Sequence, residues 1–327
     1  MGFSKSPEKD GYIELSPHLV FTDAIPDFAI YLKTSKNNYV PYTFEGNRFT
    51  EKHKDTLEQS GVETVFLKST DANKYENYLE ENLGLVLSND HLTFGERSRI
   101  FYQVSTTVVE EAFSSKLPQT FGISLFSRIH DIVKASIDFF MNMESLKAVS
   151  SIISHHYETY THSTNVMVYA ISILSSYDLD KDDVLQGGIG SILHDVGKAQ
   201  IDKSILGKTD PLTDAEWELI KKHPLYGIAA TASIPIDHRA INCILMHHEK
   251  CNGTGYPAGL TKASIPLLVK AVTIADVYDA ITTDRPYAKA ETPYMALQIM
   301  GKEMKGCFDE AMFKKFILIL SGAEIIK

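Results

Sequence analysis

With 327 residues the chain has room for two domains, and an apolar content of 44% supplies real cores. A formal charge of −10 excludes the basic footprint of a protein that grips a nucleic-acid polymer, but leaves room for a small anionic ligand where a metal reverses the local sign. Cys243, Cys251 and Cys307, an odd number, read as reduced thiols in a reducing compartment, so a cytoplasmic protein is expected.

No run approaches the roughly 18 apolar residues of a membrane helix. Met1 to Tyr12 is polar and lacks a signal-peptide core; Met1-Gly2-Phe3-Ser4-Lys5-Ser6 fits the myristoylation pattern, which is short and matches often by chance. Phe28 to Thr34 and Tyr39 to Phe44 are β-rich runs joined by the hairpin signal Ser35-Lys36-Asn37-Asn38. Thr50 caps a helix to Gln59 that Gly61 ends, Val62 to Lys68 reads as a strand, and Asp71 caps a helix to about Asn82. Residues 1–90 therefore form a small α+β domain without a catalytic constellation. Phe94 to Phe113 and Ser124 to Met143 carry apolar residues at helical spacing, giving connecting helices over 91–150. From Ser151 every strong segment is helical except Cys251 to Pro266, so the fold class is mainly α. Asp180 caps the helix that delivers His194; its Gly187, Gly188 and Gly190 cost about 1 kcal/mol each relative to alanine, which close helix packing would justify. Thr213-Asp214-Ala215-Glu216 is a capping box expected to start the helix that delivers His223.

Eight of the twelve histidines fall between His155 and His248. His162, His194, His223, His247 and His248, with Asp195 and Asp276, make a ligand set of imidazole and carboxylate. Such a set suits iron, manganese or zinc, whereas magnesium and calcium prefer oxygen shells. Two adjacent ions need a carboxylate that reaches both, about 3.5–4 Å apart. His162, His194, Asp195 and Asp276 suffice for one, and Asp195, His223, His247 and His248 for the other, with Asp195 as the bridge. Water held between such ions is a nucleophile at neutral pH. His155, His156 and His238 read as packing or capping residues. His130-Asp131-Ile132-Val133-Lys134 nearly duplicates His194-Asp195-Val196-Gly197-Lys198, yet sits in an amphipathic helix with no histidine near it, and reads as a surface dipeptide.

His194-Asp195-Val196-Gly197-Lys198, then His247-His248-Glu249 and Gly253-Thr254-Gly255-Tyr256-Pro257, resemble the HD-GYP family of cyclic di-GMP phosphodiesterases. The likeness extends to His162-Ser163, Leu212 to Trp217, Ile274 to Ala280, Asp284-Arg285-Pro286-Tyr287 and Phe308-Asp309, and covers residues 151–320. It implies an all-helical HD-type catalytic domain over 151–327, a centre of two or three ions, usually iron or manganese, and hydrolysis of cyclic di-GMP to linear pGpG or GMP. The seven side chains named above are then the ligands, with Asp195 catalytic. Glu158, one turn before His162, stands where some members hold a third ion, or is a solvated helix residue. Lys198 would neutralise a phosphate oxygen as charge develops, and Arg285 would meet the second phosphate or a guanine edge. Tyr256 would stack on a base or pack the loop, which the family links to substrate recognition and to protein contact; a homodimer is a further expectation. Asp279 follows Asp276 by one turn and is placed to orient a ligand histidine.

Three positions depart from the family pattern: Cys251, Asn252 in place of aspartate, and Ala288 in place of lysine. No ligand is lost, so metal binding is expected to persist. Two rival readings stay open: an HD-type phosphohydrolase acting on another nucleotide, and a module that senses cyclic di-GMP or docks a partner without turnover.

Overall fold

The computed structural model describes residues 11–22, 24–114, 122–151, 159–285 and 289–322. His155, His156, Glu158, Pro286, Tyr287, Ala288 and the first ten residues lie outside that range. The chain divides into two compact units, Met1–Val104 and Ser105–Lys327.

In the first unit four strands form one antiparallel sheet in the order β1-β4-β2-β3: β1 Tyr12–Leu15, β2 Ile30–Lys33, β3 Tyr39–Thr43 and β4 Val65–Lys68. β2 and β3 are the expected hairpin, turned by Asn37 in the left-handed region (φ 65°). β1, which the sequence reading did not anticipate, pairs with β4 from Tyr12↔Lys68 to Leu15↔Val65. Helix α1 (Glu51–Gln59) starts at Thr50, whose hydroxyl forms a capping box with His53. Helices α2 (Ala72–Glu81) and α3 (Leu83–Leu87) follow, although Asp71 makes no side-chain bond to the amides of α2. Phe28 sets its ring edge-on against Tyr75 and Tyr78, with centroids 5.5 and 5.4 Å away, and this apolar cluster holds α2 to the sheet.

Helix α4 (Phe94–Ser114) crosses the division between the units. In the second unit α5 spans Ile123–Phe140 and stops short of the expected Met143, where α6 (Met143–Ser150) begins under an Asn142 cap. Helices α7 (Thr159–Ser175), α8 (Lys181–Leu193), α9 (Lys203–Leu206), α10 (Asp214–Ile220), α11 (His223–Thr231), α12 (His238–Met246), α13 (Leu267–Thr282), α14 (Pro293–Lys302) and α15 (Glu310–Ser321) complete the fold. α8 is the hub, packed against α5, α7, α12 and α13. Its glycines explain how. A Cβ at Gly187 would lie 2.3 Å from Leu174 Cδ1, one at Gly188 2.5 Å from Val133 Cγ1, and one at Gly190 2.4 Å from Cys243 Cβ. The helical cost of these glycines is offset by approach closer than any side chain permits. A mainly helical chain with a small α+β unit at its N-terminus is what the sequence leads one to expect.

Among the described residues, no helix is long and apolar enough to cross a membrane.

Candidate metal centre

Four helices and one helix break bring the histidines together. Asp180 caps α8 by accepting from the Asp183 amide, and α8 ends at Leu193, so His194 and Asp195 fall where the chain tightens into a 3-10 turn. The capping box at Thr213 and Glu216 starts α10 as expected. That helix, however, stops at Ile220 and does not carry His223. His223 is instead the first residue of α11, with Pro224 in its first turn. Pro224 has no N–H to give the Ile220 carbonyl four residues back, so the ladder of α10 cannot run through it, and His223 Nδ1 takes that carbonyl instead. α12 ends at Met246 and presents His247 and His248; α7 presents His162, and α13 presents Asp276 and Asp279.

The side chains converge. His162, His194, Asp195, His223 and His247 are all at most 1% exposed. Asp195 divides its oxygens between two imidazole groups. Oδ2 lies 3.3 Å from His194 Nε2 and 3.6 Å from His162 Nε2; Oδ1 lies 3.3 Å from His223 Nε2 and 3.9 Å from His247 Nε2. Asp276 repeats the pattern, Oδ1 facing His162 Nε2 at 3.1 Å and Oδ2 facing His248 Nδ1 at 3.7 Å. Two groups, Asp195-His223-His247-His248 and His162-His194-Asp195, each keep their ligand atoms within 4.8 Å of one another.

Hydrogen bonding fixes which nitrogen faces inward. Nδ1 of His194, His223 and His247 donates to the carbonyl oxygens of Ser191, Ile220 and Ile244, at 2.6, 2.8 and 2.9 Å. His162 Nδ1 donates to Asp279 Oδ2 at 2.6 Å, and Asp279 Oδ1 accepts from Asn165 at 2.8 Å. Because carbonyls only accept, each of those Nδ1 atoms carries the proton and each Nε2 offers a lone pair. His223 Nε2 and His247 Nε2 then face each other at 3.0 Å with no proton between them. His194 Nε2 and Asp195 Oδ1 are buried without a hydrogen-bond partner. Burial pushes His223 down to about 4 and His248 to about 3, and lowers His247 well below the ordinary imidazole value, so these rings stay neutral. Burial alone would raise both Asp195 and Asp276, yet both are held well below the carboxylate range, Asp195 chiefly by the Lys198 ammonium. Converging imidazole lone pairs beside two ionised carboxylates, with His194 Nε2 and Asp195 Oδ1 left without a partner, are costly without a cation. Metal ions fit this cluster.

The remaining sites from the sequence lie as follows. Lys198 Nζ bonds Asp195 Oδ2 at 2.5 Å. Tyr256 stacks on His248, centroids 4.6 Å apart and planes 26° apart, and burial pushes its phenol up. Arg285, half-buried, follows the end of α13. His238 is exposed at the start of α12 and pairs only with its neighbour Asp237 among the described contacts. Asn252 accepts from the Thr254 amide and hydroxyl, and its Nδ2 donates to Cys307 Sγ at 3.6 Å, a bond that the family's aspartate could not donate.

Glu249 had no role in the sequence reading. It is 1% exposed, and its carboxylate accepts from the amides of Ala258 (2.6 Å), Gly259 (3.1 Å) and Leu260 (2.8 Å). The loop is thereby fastened beneath the histidine pair. Its approach requires Gly255, where a Cβ would lie 2.4–2.5 Å from the backbone of residues 248–250. Thr273 Oγ1 donates to the His247 carbonyl at 2.9 Å, tying α13 to the same turn. A threonine on an apolar helix gives no sequence signal for that bond.

Residues 160–312 match the family model described as HD domain. Cyclic di-GMP phosphodiesterase PA4108 of Pseudomonas aeruginosa is 37% identical over 164 residues, 49% of this chain and 38% of the relative. 3'3'-cGAMP-specific phosphodiesterase 3 of Vibrio cholerae is 32% identical over 46% of this chain and 33% of the relative. The chain thus spans less than half the length of these curated relatives. Among solved structures, Bd1817, an HDG"Y"P protein from Bdellovibrio bacteriovorus, has the same fold: TM-score 0.63 at 21% identity, covering 95% of this chain and all of that one.

Proposed function

We propose, on the premise that residues 160–312 form an HD domain of the HD-GYP kind, that this chain is a metal-dependent phosphodiesterase that hydrolyses cyclic di-GMP to linear pGpG or GMP. The observation that carries the reading is the division of the Asp195 carboxylate between two sets of inward-facing imidazole nitrogens. His162, His194, Asp195 and Asp276 would hold one ion, and Asp195, His223, His247 and His248 the other; the donor type suits iron, manganese or zinc, and the likeness to the HD-GYP family selects iron or manganese. Bound ions supply Lewis acidity toward the phosphodiester and toward water. The chain's own residues do the rest. Backbone carbonyls and Asp279 keep the ligand nitrogens deprotonated and aimed. Lys198, 14% exposed at its side chain, brings an ammonium to the site where phosphate charge grows. Arg285 supplies a planar fork for the second phosphate or a guanine edge, and Tyr256 closes the wall behind His248.

The test is turnover by the full chain, loaded anaerobically with iron or manganese. Linear product is expected, and its absence from fully metallated protein overturns the reading. A second substrate is favoured by the Vibrio cholerae relative, whose name specifies 3'3'-cGAMP; a panel of cyclic dinucleotides and nucleotide phosphates separates the two. Within the same proposal, Glu158 is a ligand to a third ion, checked by metal stoichiometry: a lower count is expected in Glu158→Ala, and an unchanged count removes the third ion. The N-terminal unit regulates the HD domain or mediates assembly in the cytoplasm, the Gly253–Pro257 loop meets a protein partner, and the chain forms a homodimer.

A further inference from the structure

Trp217 is the chain's single tryptophan, and it stays 45% exposed one turn into α10. Its ring lies 6.4 Å from Tyr256 at 78°, and Tyr256 stacks on His248, itself 4.9 Å from His223. A row of aromatic rings therefore runs from the ligand cluster toward solvent and ends on a partly exposed indole. The backbone that carries the row is braced. Glu216, beside Trp217, accepts two bonds from Lys208 at 2.7 and 2.8 Å and caps Thr213, whose carbonyl accepts the Trp217 amide at 2.9 Å. Tyr256 is fixed from the other side by the Glu249 clamp on its loop. The backbone beneath both rings is thus held before any ligand arrives, which lowers the entropic cost of stacking on them.

We infer that Trp217 is the stacking platform for one purine base of the cyclic dinucleotide, an affinity-determining residue apart from the ligand set; this rests on the phosphodiesterase reading above. A phosphate at the cluster carries its base one sugar away, and the rings beside the cluster follow in steps of 4.6 Å from His248 to Tyr256 and 6.4 Å from Tyr256 to Trp217. Stacking tolerates any base, because each has a π-face, so Trp217 sets affinity for dinucleotides in general and leaves the choice of base to hydrogen-bonding groups.

Because Trp217 is the only tryptophan, its emission reports the site directly. In the metal-loaded full chain, cyclic di-GMP is expected to quench that emission saturably, whereas ribose 5-phosphate, which lacks a base, leaves it unchanged. Trp217→Ala is expected to raise KM about 5- to 150-fold with kcat held within about twofold, and Trp217→Phe to recover most of the loss. Unquenched emission, or an unchanged KM in Trp217→Ala while the parent chain turns over cyclic di-GMP, overturns the inference and spares the phosphodiesterase reading. Quenching without turnover in the parent chain does the reverse.

Discussion

Two stretches of this chain carry almost the same five letters and have nothing else in common. His130-Asp131-Ile132-Val133-Lys134 lies in mid-α5, where the helix continues through it. Consecutive residues on a helix do not face one another's targets, so His130 and Asp131 share only a local contact of 3.2 Å and keep 35% and 73% of their side chains exposed. His194-Asp195-Val196-Gly197-Lys198 stands where α8 stops. The backbone turns at Asp195 (φ −98°, ψ 3°), and both side chains enter one buried cluster. Gly197 completes the difference. A Cβ there would lie 2.0 Å from the His223 carbonyl oxygen and 2.4 Å from the Gly227 amide, so α11 reaches the turn only across a glycine. The dipeptide becomes a site through a helix end and one missing methyl group.

Removing the carboxylate from each copy gives the sharpest contrast. Asp195→Ala takes away the group shared by both imidazole sets, and turnover should fall on the order of 10^3-fold or more, with lower metal content by elemental analysis. Asp131→Ala, at an exposed position, should leave turnover unchanged and stability within about 0.5 kcal/mol. Equal losses in the two variants would break the comparison. Gly197→Val makes the second copy read like the first. Its side chain meets backbone rather than a flexible neighbour, so a loss of about 1–3 kcal/mol or more is expected in thermal unfolding, together with weakened metal retention as His223 is displaced.

One shell outward the effects shrink. Asp279→Asn preserves shape but removes the charge that orients His162, and a fall of about 10- to 100-fold in metal affinity or turnover is expected. Wild-type affinity in that variant would mean that the helix alone orients His162.

Much of this was legible in the residues, and what was not has identifiable causes. Histidine density, the two near-copies and the capping residues Asp180, Thr213 and Glu216 are local signals, and the structure places each where spacing puts it. The break before His223 was announced by Pro224 but hidden by a helical pattern that runs on across it. Glu249 was illegible, because a glutamate between histidine and lysine reads as solvated until the loop nine residues later returns its amides. β1 is four residues long, and its pairing with β4 joins positions as far apart as Tyr12 and Lys68, which no local pattern records. The same limit applies to the His162–Asp279 bond, although one-turn spacing from Asp276 pointed to it.

The smallest expected effect concerns how the two helices behind the second His-Asp copy are pinned. Arg239 bonds Asp182 and Asp183 in the first turn of α8 and Asp237 at the cap of α12, so one guanidinium ties the N-termini of the helices whose ends carry His194 and His247. Hydrogen bonds from Arg239 hold the Asp237 carboxyl down at about 2. A carboxyl depressed in the folded state stabilises above its unfolded value near 3.8, and that contribution fades as pH falls through about 2. The groups are partly exposed and screened, so the whole network is worth about 0–1 kcal/mol. Arg239→Met should lower the melting temperature by about 1–3 °C at pH 7 and flatten its fall between pH 4 and 2. A variant that melts with the parent's full acid slope would show that packing across Gly190 alone sets the helix pair, and that Arg239 contributes nothing to the placement of His194.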